Sequence, residues 1–339
     1  SVIEGRLNGS WQFAFDPQLR PQELSGTGRL DLARAEGGYS ELRGASVVLA
    51  SDLTPTELRQ LSLRLERDGQ RLGQVLVSGP FDLVKSEARL RIEVQSIDRQ
   101  ILNALGAAQG VDFGSSTFNS ISVVDVSKDW KLIAATGGLS GQGIEIRQAG
   151  TTTPAINLTV DYQTQIDLVA QTAILQKLNI RGQHGGAELI TGALDRPMNI
   201  TWAPEARGFA ESTFQCSITN LNLGDWRAFL PEDPPSGRVS AQFKVVAQRD
   251  AKALAATGQA VVEDLSVSLG TNRISRARLT LLVDATMEDF RSVDARSFEL
   301  KIDQSDGPLL KTSGSGRYDL SSGDVSAHCS AEAALTPLL

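Results

Sequence analysis

Apolar and polar residues alternate with a period of two along most of this chain, and that period constrains the fold more than any other feature. Leu61-Ser62-Leu63-Arg64-Leu65-Glu66, Leu90-Arg91-Ile92-Glu93-Val94-Gln95, Phe214-Gln215-Cys216-Ser217-Ile218 and Phe298-Glu299-Leu300-Lys301-Ile302 all place their apolar members two apart. Side chains of a strand point alternately to opposite faces, so each run describes a strand with one dry and one wet face. One-sided burial of this kind belongs to antiparallel sheets. Asp68-Gly69, Gly185-Gly186 and Asp306-Gly307 fall between such runs, where a tight hairpin needs residues that tolerate positive φ.

The alternation is organised into a threefold repeat. A Ser/Thr-Gly-x-Gly/Ala element opens at Ser25-Gly26-Thr27-Gly28, Ser140-Gly141-Gln142-Gly143 and Thr257-Gly258-Gln259-Ala260, 115 and 117 residues apart. A Thr-x-x-Asp/Glu-Leu/Phe element runs from Thr54 to Leu58, Thr164 to Leu168 and Thr286 to Phe290. A third, Ser/Thr-Gly-x-apolar-Asp, is Ser78-Gly79-Pro80-Phe81-Asp82, Thr191-Gly192-Ala193-Leu194-Asp195 and Ser315-Gly316-Arg317-Tyr318-Asp319. Three markers in one order divide the chain into β repeats at 1–110, 111–235 and 236–339. The glycines of the first marker precede strands, where they read as strand-start or bulge residues and not as a phosphate cradle, which would open onto a helix.

Helix is expected only in short pieces near repeat ends. Ser96 or Asp98 is placed to cap one carrying Ile101, Leu102 and Leu105, and Asn222 to cap one carrying Trp226, Phe229 and Leu230 ahead of Pro231. Thr54-Pro55-Thr56-Glu57 has the form of a capping box with proline at the first helical position, which predicts one helical turn there.

Composition narrows the function classes. With 41% apolar and 22% charged residues the 339-residue chain has the make-up of a folded protein. A formal charge of −7 without a Lys/Arg-rich run opposes nucleic acid as a partner. No apolar run approaches the roughly 18 residues that would span a bilayer. The two histidines, His184 and His328, have no neighbours at metal-ligand spacing, and the two cysteines, Cys216 and Cys329, form no ligand pattern or disulfide framework. Cys216 and Ile92 occupy matching strand positions, so both read as inward apolar positions, and the same holds for Cys329. No nucleophile elbow or paired acid/base is recognisable, so no catalytic residue, metal or cofactor is assigned.

Asn220-Leu221-Asn222-Leu223-Gly224-Asp225-Trp226-Arg227-Ala228-Phe229-Leu230 followed by Ser236-Gly237-Arg238-Val239-Ser240 resembles the repeat junctions of the AsmA-like proteins, the bacterial AsmA/TamB group. So do Ser96-Ile97-Asp98-Arg99-Gln100-Ile101-Leu102 and the run from Leu265-Ser266-Val267-Ser268-Leu269 through Ser313-Gly314-Ser315-Gly316. The resemblance is one of pattern over essentially the whole chain. It implies an all-β fold, an elongated, curved antiparallel sheet shaped like a taco shell with an apolar inner groove. It further implies a periplasmic location, an inner-membrane anchor through an N-terminal helix that this stretch does not include, and an outer-membrane partner. The implied role is non-enzymatic transfer of phospholipid between inner and outer membranes of a diderm bacterium. The chain then reads as a fragment of a longer protein.

Under that reading the inward positions form the lipid path. In the first repeat they are Leu30, Leu32, Val47, Leu49, Leu61, Leu63, Leu65, Leu90, Ile92 and Val94. In the second they are Ile144, Ile146, Leu158, Val160, Leu178, Ile180, Phe214, Cys216 and Ile218. In the third they are Leu265, Val267, Leu269, Leu279, Leu281, Val283, Phe298, Leu300 and Ile302. Each methylene taken out of water contributes about 0.8 kcal/mol, so an acyl chain is a suitable occupant. A structural stalk or adhesin of the cell envelope, with its inner face closed on itself, predicts the same strand pattern and remains the alternative.

Overall fold

Strands need partners for their backbone N–H and C=O groups, and the computed structural model supplies them in long ladders. It describes residues 3–106, 112–148, 151–202, 211–229, 234–248, 253–269, 272–288, 291–305 and 307–334. The chain packs as two compact units, Ser1–Gln171 and Thr172–Leu339. This is a partition by packing, whereas the threefold division is one of sequence period.

In the first unit β1 (Ile3–Phe15), β2 (Pro21–Ala35), β3 (Ser46–Leu53), β4 (Glu57–Arg67), β5 (Gln70–Asp82), β6 (Glu87–Ile97), β7 (Thr117–Ser127) and β8 (Leu132–Ile144) pair antiparallel in chain order. The two-residue strands β9 (Arg147–Gln148) and β10 (Thr151–Thr152) pair with each other, and β11 (Ile156–Asp167) returns to β8. One α-helix among the described residues, α1 (Arg99–Gly106), follows β6.

The second unit holds β12 (Thr172–His184), β13 (Ala187–Arg196), β14 (Met198–Thr201), β15 (Ser212–Asn222), β16 (Ser236–Gln248), β17 (Ala253–Leu269), β18 (Asn272–Glu288), β19 (Ser292–Gln304), β20 (Gly307–Asp319) and β21 (Val325–Ala333). Again the ladders are antiparallel between neighbours in sequence, with the short β14 lying against β12. The all-β, antiparallel class with helix confined to short connections is as the alternation predicts.

Turn chemistry agrees with the sequence where glycine decides it. Asp68 and Gly69 have φ of 49° and 75°, and Gly185 and Gly186 have 58° and 81°, so both pairs make hairpins whose two central residues are left-handed. Asp98 caps α1, its Oδ1 accepting from the backbone N–H of Gln100 at 2.9 Å. Asn222 Oδ1 accepts from Gly224 N–H at 3.1 Å ahead of a 3-10 helix, Leu223–Phe229. A second 3-10 helix, Gly37–Leu42, was not anticipated. Leu230, Pro231, Asp289, Phe290 and Asp306 lie outside the described residues.

Two expectations are corrected. Thr54-Pro55-Thr56-Glu57 is no helical turn: Thr54 N–H donates to the Glu57 carbonyl at 2.8 Å, and the four residues close the hairpin between β3 and β4. The period-two run that starts at Leu61 leaves no helical face for such a turn to continue into. Of the first-marker glycines, Gly26 and Gly258 are not strand-start or bulge residues, because they sit inside unbroken ladders opposite Trp11 and Phe243, whereas Gly143, at φ 56°, does lie at a register shift between β8 and β11. A Cβ on Gly258 would lie 2.6 Å from Phe243 Cδ1, and one on Gly26 would lie 2.5 Å from Trp11 Cε3. An aromatic ring therefore lies over each glycine, and Gly141 has Phe118 opposite it in the same way.

Packed cores are small and local. Leu32, Ala45 and Leu72 form one with Leu30, Leu42, Leu65 and Ile101, which seats α1 and the Gly37–Leu42 turn at one end of the strands. The bare Cα of Gly73 admits Ile97 and Ile101, whose Cδ1 atoms would stand 2.6 and 2.8 Å from a Cβ there. Leu265, Ile274, Ala277 and Leu309 form the second core.

Two outcomes follow. Gly258→Val should cost about 1–3 kcal/mol in urea unfolding because it displaces the Phe243 ring; combined with Phe243→Ala the loss should be smaller than the sum, and strict additivity would refute the ring-over-glycine contact. Asp82 is held below its ordinary value by N–H donation from Lys85 and then Val84, and Asp319 by the Ser321 hydroxyl and the Ser322 and Ser321 N–H groups. Since folding lowers both pKa values, their stabilising contribution is complete above the ordinary value of 3.8 and is lost as pH falls through the lower folded values. Melting temperatures measured from pH 7 to pH 2 should therefore show a smaller acid-induced drop for Asp82→Asn/Asp319→Asn than for the unaltered chain.

Candidate functional site

Register decides which side chains share a face, because residues directly opposite in an antiparallel ladder project to the same side. In the first unit one row of partners runs Trp11, Gly26, Ser51, Leu61, Val77, Ile92, Ser122, Gly137, Tyr162 across nine strands. In the second unit the corresponding row is Ile180, Gly192, Cys216, Phe243, Gly258, Val283, Phe298, Gly314, Cys329. Residues two positions along from each row extend the same face and are mostly aliphatic.

Most of the sequence-predicted positions fall on these faces. Leu30, Val47, Leu49, Leu61, Leu63, Leu65, Leu90, Ile92, Val94, Leu158 and Val160 share the apolar face of the first unit. Ile144 joins them by a different route: Gly143, at φ 56°, turns the chain so that Ile144 packs beside Gly141. In the second unit Leu178, Ile180, Phe214, Cys216, Ile218, Leu279, Leu281, Val283, Phe298, Leu300 and Ile302 share one face.

Five of the lipid-path positions, and Cys329, stand apart. Leu32 and Leu265 are 6% exposed, buried in the two local cores, and Val267 packs against the second of these. Ile146 lies in the connection beyond β8, where its N–H donates to Thr153 Oγ1, outside the long ladders. Leu269 pairs through its backbone with Asn272 at the end of β17. Cys329, read from the sequence as inward and apolar, is exposed, because β21 has β20 as its one partner among the described residues and is exposed throughout.

The apolar faces are only partly covered. Six side chains larger than alanine make up the buried apolar set among the described residues: Leu32, Leu72, Leu189, Leu265, Ile274 and Leu309. Leu63 and Phe243, both on the row faces, are 45% and 43% exposed. Trp11, Phe118, Tyr162 and Phe243 belong to these faces and were missed by the alternation alone. The signal was present for two of them, since Trp11 and Phe243 each precede a first-marker glycine by 15 residues. Tyr162 spans Gly137 to meet the Ser122 hydroxyl at 2.8 Å, a polar contact within a row whose one other hydroxyl is that of Ser51.

The opposite faces are wet and charged. Arg29 Nη1 meets Glu66 at 2.7 Å, its Nε meets Asp31 at 2.7 Å, and its Nη2 donates to Ser46 Oγ, which ties β2 to β3 and β4. Arg91 and Glu93 pair at 2.5 Å, which holds the Glu93 carboxyl below its ordinary pKa. A cleft of about 1250 Å³ crosses the second unit from β12 to β20, lined by its central row and the residues immediately before and after it. Those flanking side chains, among them Arg181, Gln215, Lys244, Gln259, Asp284 and Glu299, belong to the polar face, since one step along a strand reverses the side. Its charges are mixed, and among the described residues no group of three or more His, Cys, Asp or Glu is placed to hold a metal ion.

Compared with known proteins, the chain matches no family model and no curated protein.

Proposed function

We propose that the chain binds acyl-chain lipid non-catalytically along the apolar faces of its sheets, as a segment of a protein that moves phospholipid between the inner and outer membranes of a diderm bacterium. The observation that carries this reading is the register. It collects aliphatic side chains from successive strands onto one continuous face in each unit, while Leu63 and Phe243 keep close to half of their surface open. An acyl chain laid across such a face exchanges water for aliphatic neighbours at about 0.8 kcal/mol per methylene. The polar face, with its ion pairs, keeps the same strands soluble. Glycines beneath Trp11 and Phe243 let the rings lie flat, which smooths the face for a flexible ligand. The AsmA-like resemblance supplies the periplasmic setting, the inner-membrane anchor and the outer-membrane partner.

A closed stalk makes a different demand, because its inward side chains would have to be buried in a dry interior. Ile92, Cys216 and Leu281 are instead half-buried. A charged side chain at these positions can reach water, so Ile92→Glu, Cys216→Glu and Leu281→Arg should fold with little loss of melting temperature yet lose lipid. In a closed interior the same substitutions would cost several kcal/mol out of a total stability of about 5–15. Exchanging the charges of Arg91 and Glu93 should change stability by no more than about 1 kcal/mol and leave lipid uptake intact. Thermal melts with native mass spectrometry on the same preparations check both points: added mass of lipid size on the unaltered chain, absent from the inward variants, is the expected result. Unfolding of all three inward variants would favour the stalk.

Uptake of a fluorescent phospholipid gives a second readout. The unaltered chain should take up roughly stoichiometric probe, and failure to do so after gentle purification would contradict lipid binding.

A further inference from the structure

In the first unit the hairpins that follow β5 and β7 and the turn that follows β11 lie at the same ends of the strands, because each ladder is antiparallel. They are tied side by side: Trp130 N–H donates to the Ser86 carbonyl at 3.2 Å, and Leu168 N–H donates to the Lys131 carbonyl at 2.9 Å. These turns present apolar side chains to water alongside charged ones. Val84 is 97% exposed, Leu83 66%, Val169 70%, Leu168 49% and Trp130 41%.

Local chemistry builds this presentation. Asp82-Leu83-Val84 and Asp167-Leu168-Val169 are the same tripeptide, and in each the aspartate Oδ1 accepts from the next two N–H groups but one, fixing a tight turn with Leu and Val outside it. In the hairpin between them Lys128, Asp129 and Trp130 hold φ of 53°, 56° and 64°, a run of left-handed residues without a glycine. Such backbone is unfavourable for L-residues, and here it holds an indole out at the tip.

We propose that this rim inserts into the headgroup region of a lipid bilayer, a surface separate from the acyl-binding faces and independent of them. Isolated apolar fingers with polar backbone between them bury fully only in a soft medium that closes around each one. A tryptophan beside them suits the membrane–water boundary, where an apolar ring with one N–H is favoured. The rim spans five strands, about 19 Å at roughly 4.8 Å per strand, and about 10 Å across, so its area is on the order of 200 Å². A stable protein partner or second copy would need about 800 Å² per side. Two of the three lysines that flank the fingers are paired, Lys85 with Asp82 at 3.5 Å and Lys131 with Asp129 at 3.7 Å, and the third is Lys128. Alternating paired charges complement a zwitterionic headgroup layer, and insertion is compatible with the net charge of −7 because it requires no electrostatic attraction.

The test is co-sedimentation of the chain with vesicles of pure phosphatidylcholine and of phosphatidylcholine with phosphatidylglycerol, at low and high salt. Binding should occur to both and survive high salt, with Trp130 emission shifting to the blue and quenched by brominated lipid, and both effects lost in Trp130→Phe. Val84→Asp and Val169→Asp should each weaken binding about tenfold. Ile121→Asp, a change at an exposed residue of β7 away from the rim, should leave binding unchanged, as should Ile92→Glu on the acyl-binding face. Absence of vesicle binding overturns the proposal, as does binding that the rim variants retain, or binding that needs anionic lipid and vanishes in salt. Loss of binding in Ile92→Glu but not in the rim variants would assign it to the acyl-binding face and likewise overturn the rim.

Discussion

Antiparallel pairing between strands of period two is the constraint on which the rest of the molecule depends. Once Ile92 stands opposite Ser122 and Val77, every second residue of β5, β6 and β7 is committed to one side, and a slip of one residue would invert the whole face. Hydrogen bonding satisfies the backbone along the ladders, while apolar burial acts on one side only. This explains why the described residues contain small local cores at strand ends and not one large interior.

Glycine and aromatic residues refine that face. Gly26 and Gly258 are poor strand formers considered alone, yet each makes room for a ring from the neighbouring strand. The ring recovers the packing that the glycine lacks and lies along the sheet. The same device explains why a Ser/Thr-Gly element recurs in the sequence: the glycine is needed by its partner strand and not by a turn or by a bound phosphate.

How much was legible follows from how local the physics is. Strand class and the left-handed hairpins at Asp68-Gly69 and Gly185-Gly186 depend on a few adjacent residues and were readable, and the cap of α1 was narrowed to Ser96 or Asp98, of which the structure selects Asp98. The turn at Thr54 was misread because a capping box is a local pattern too, and only the cross-strand hydrogen bond from Thr54 to Glu57 distinguishes hairpin from helix. Placement of Trp11 and Phe243 on the apolar faces depends on register between strands. So does the burial of Leu32 and Leu265 in the end cores, and neither is encoded within a single run. The exposed Leu and Val of the Asp-Leu-Val turns were legible only as a duplicated tripeptide, since their position outside the sheet is decided by aspartate accepting two backbone N–H groups.

The two faces within each unit carry the central proposal, that acyl chains lie on the row side and water on the other. A photo-crosslinking side chain placed in turn at Leu63, Phe243, Arg64 and Lys244, followed by irradiation with bound phospholipid and mass spectrometry, tests it most directly. Adducts to acyl carbons at positions 63 and 243, with none at 64 and 244, are the predicted result. Equal labelling at all four positions, or none at 63 and 243, would contradict it.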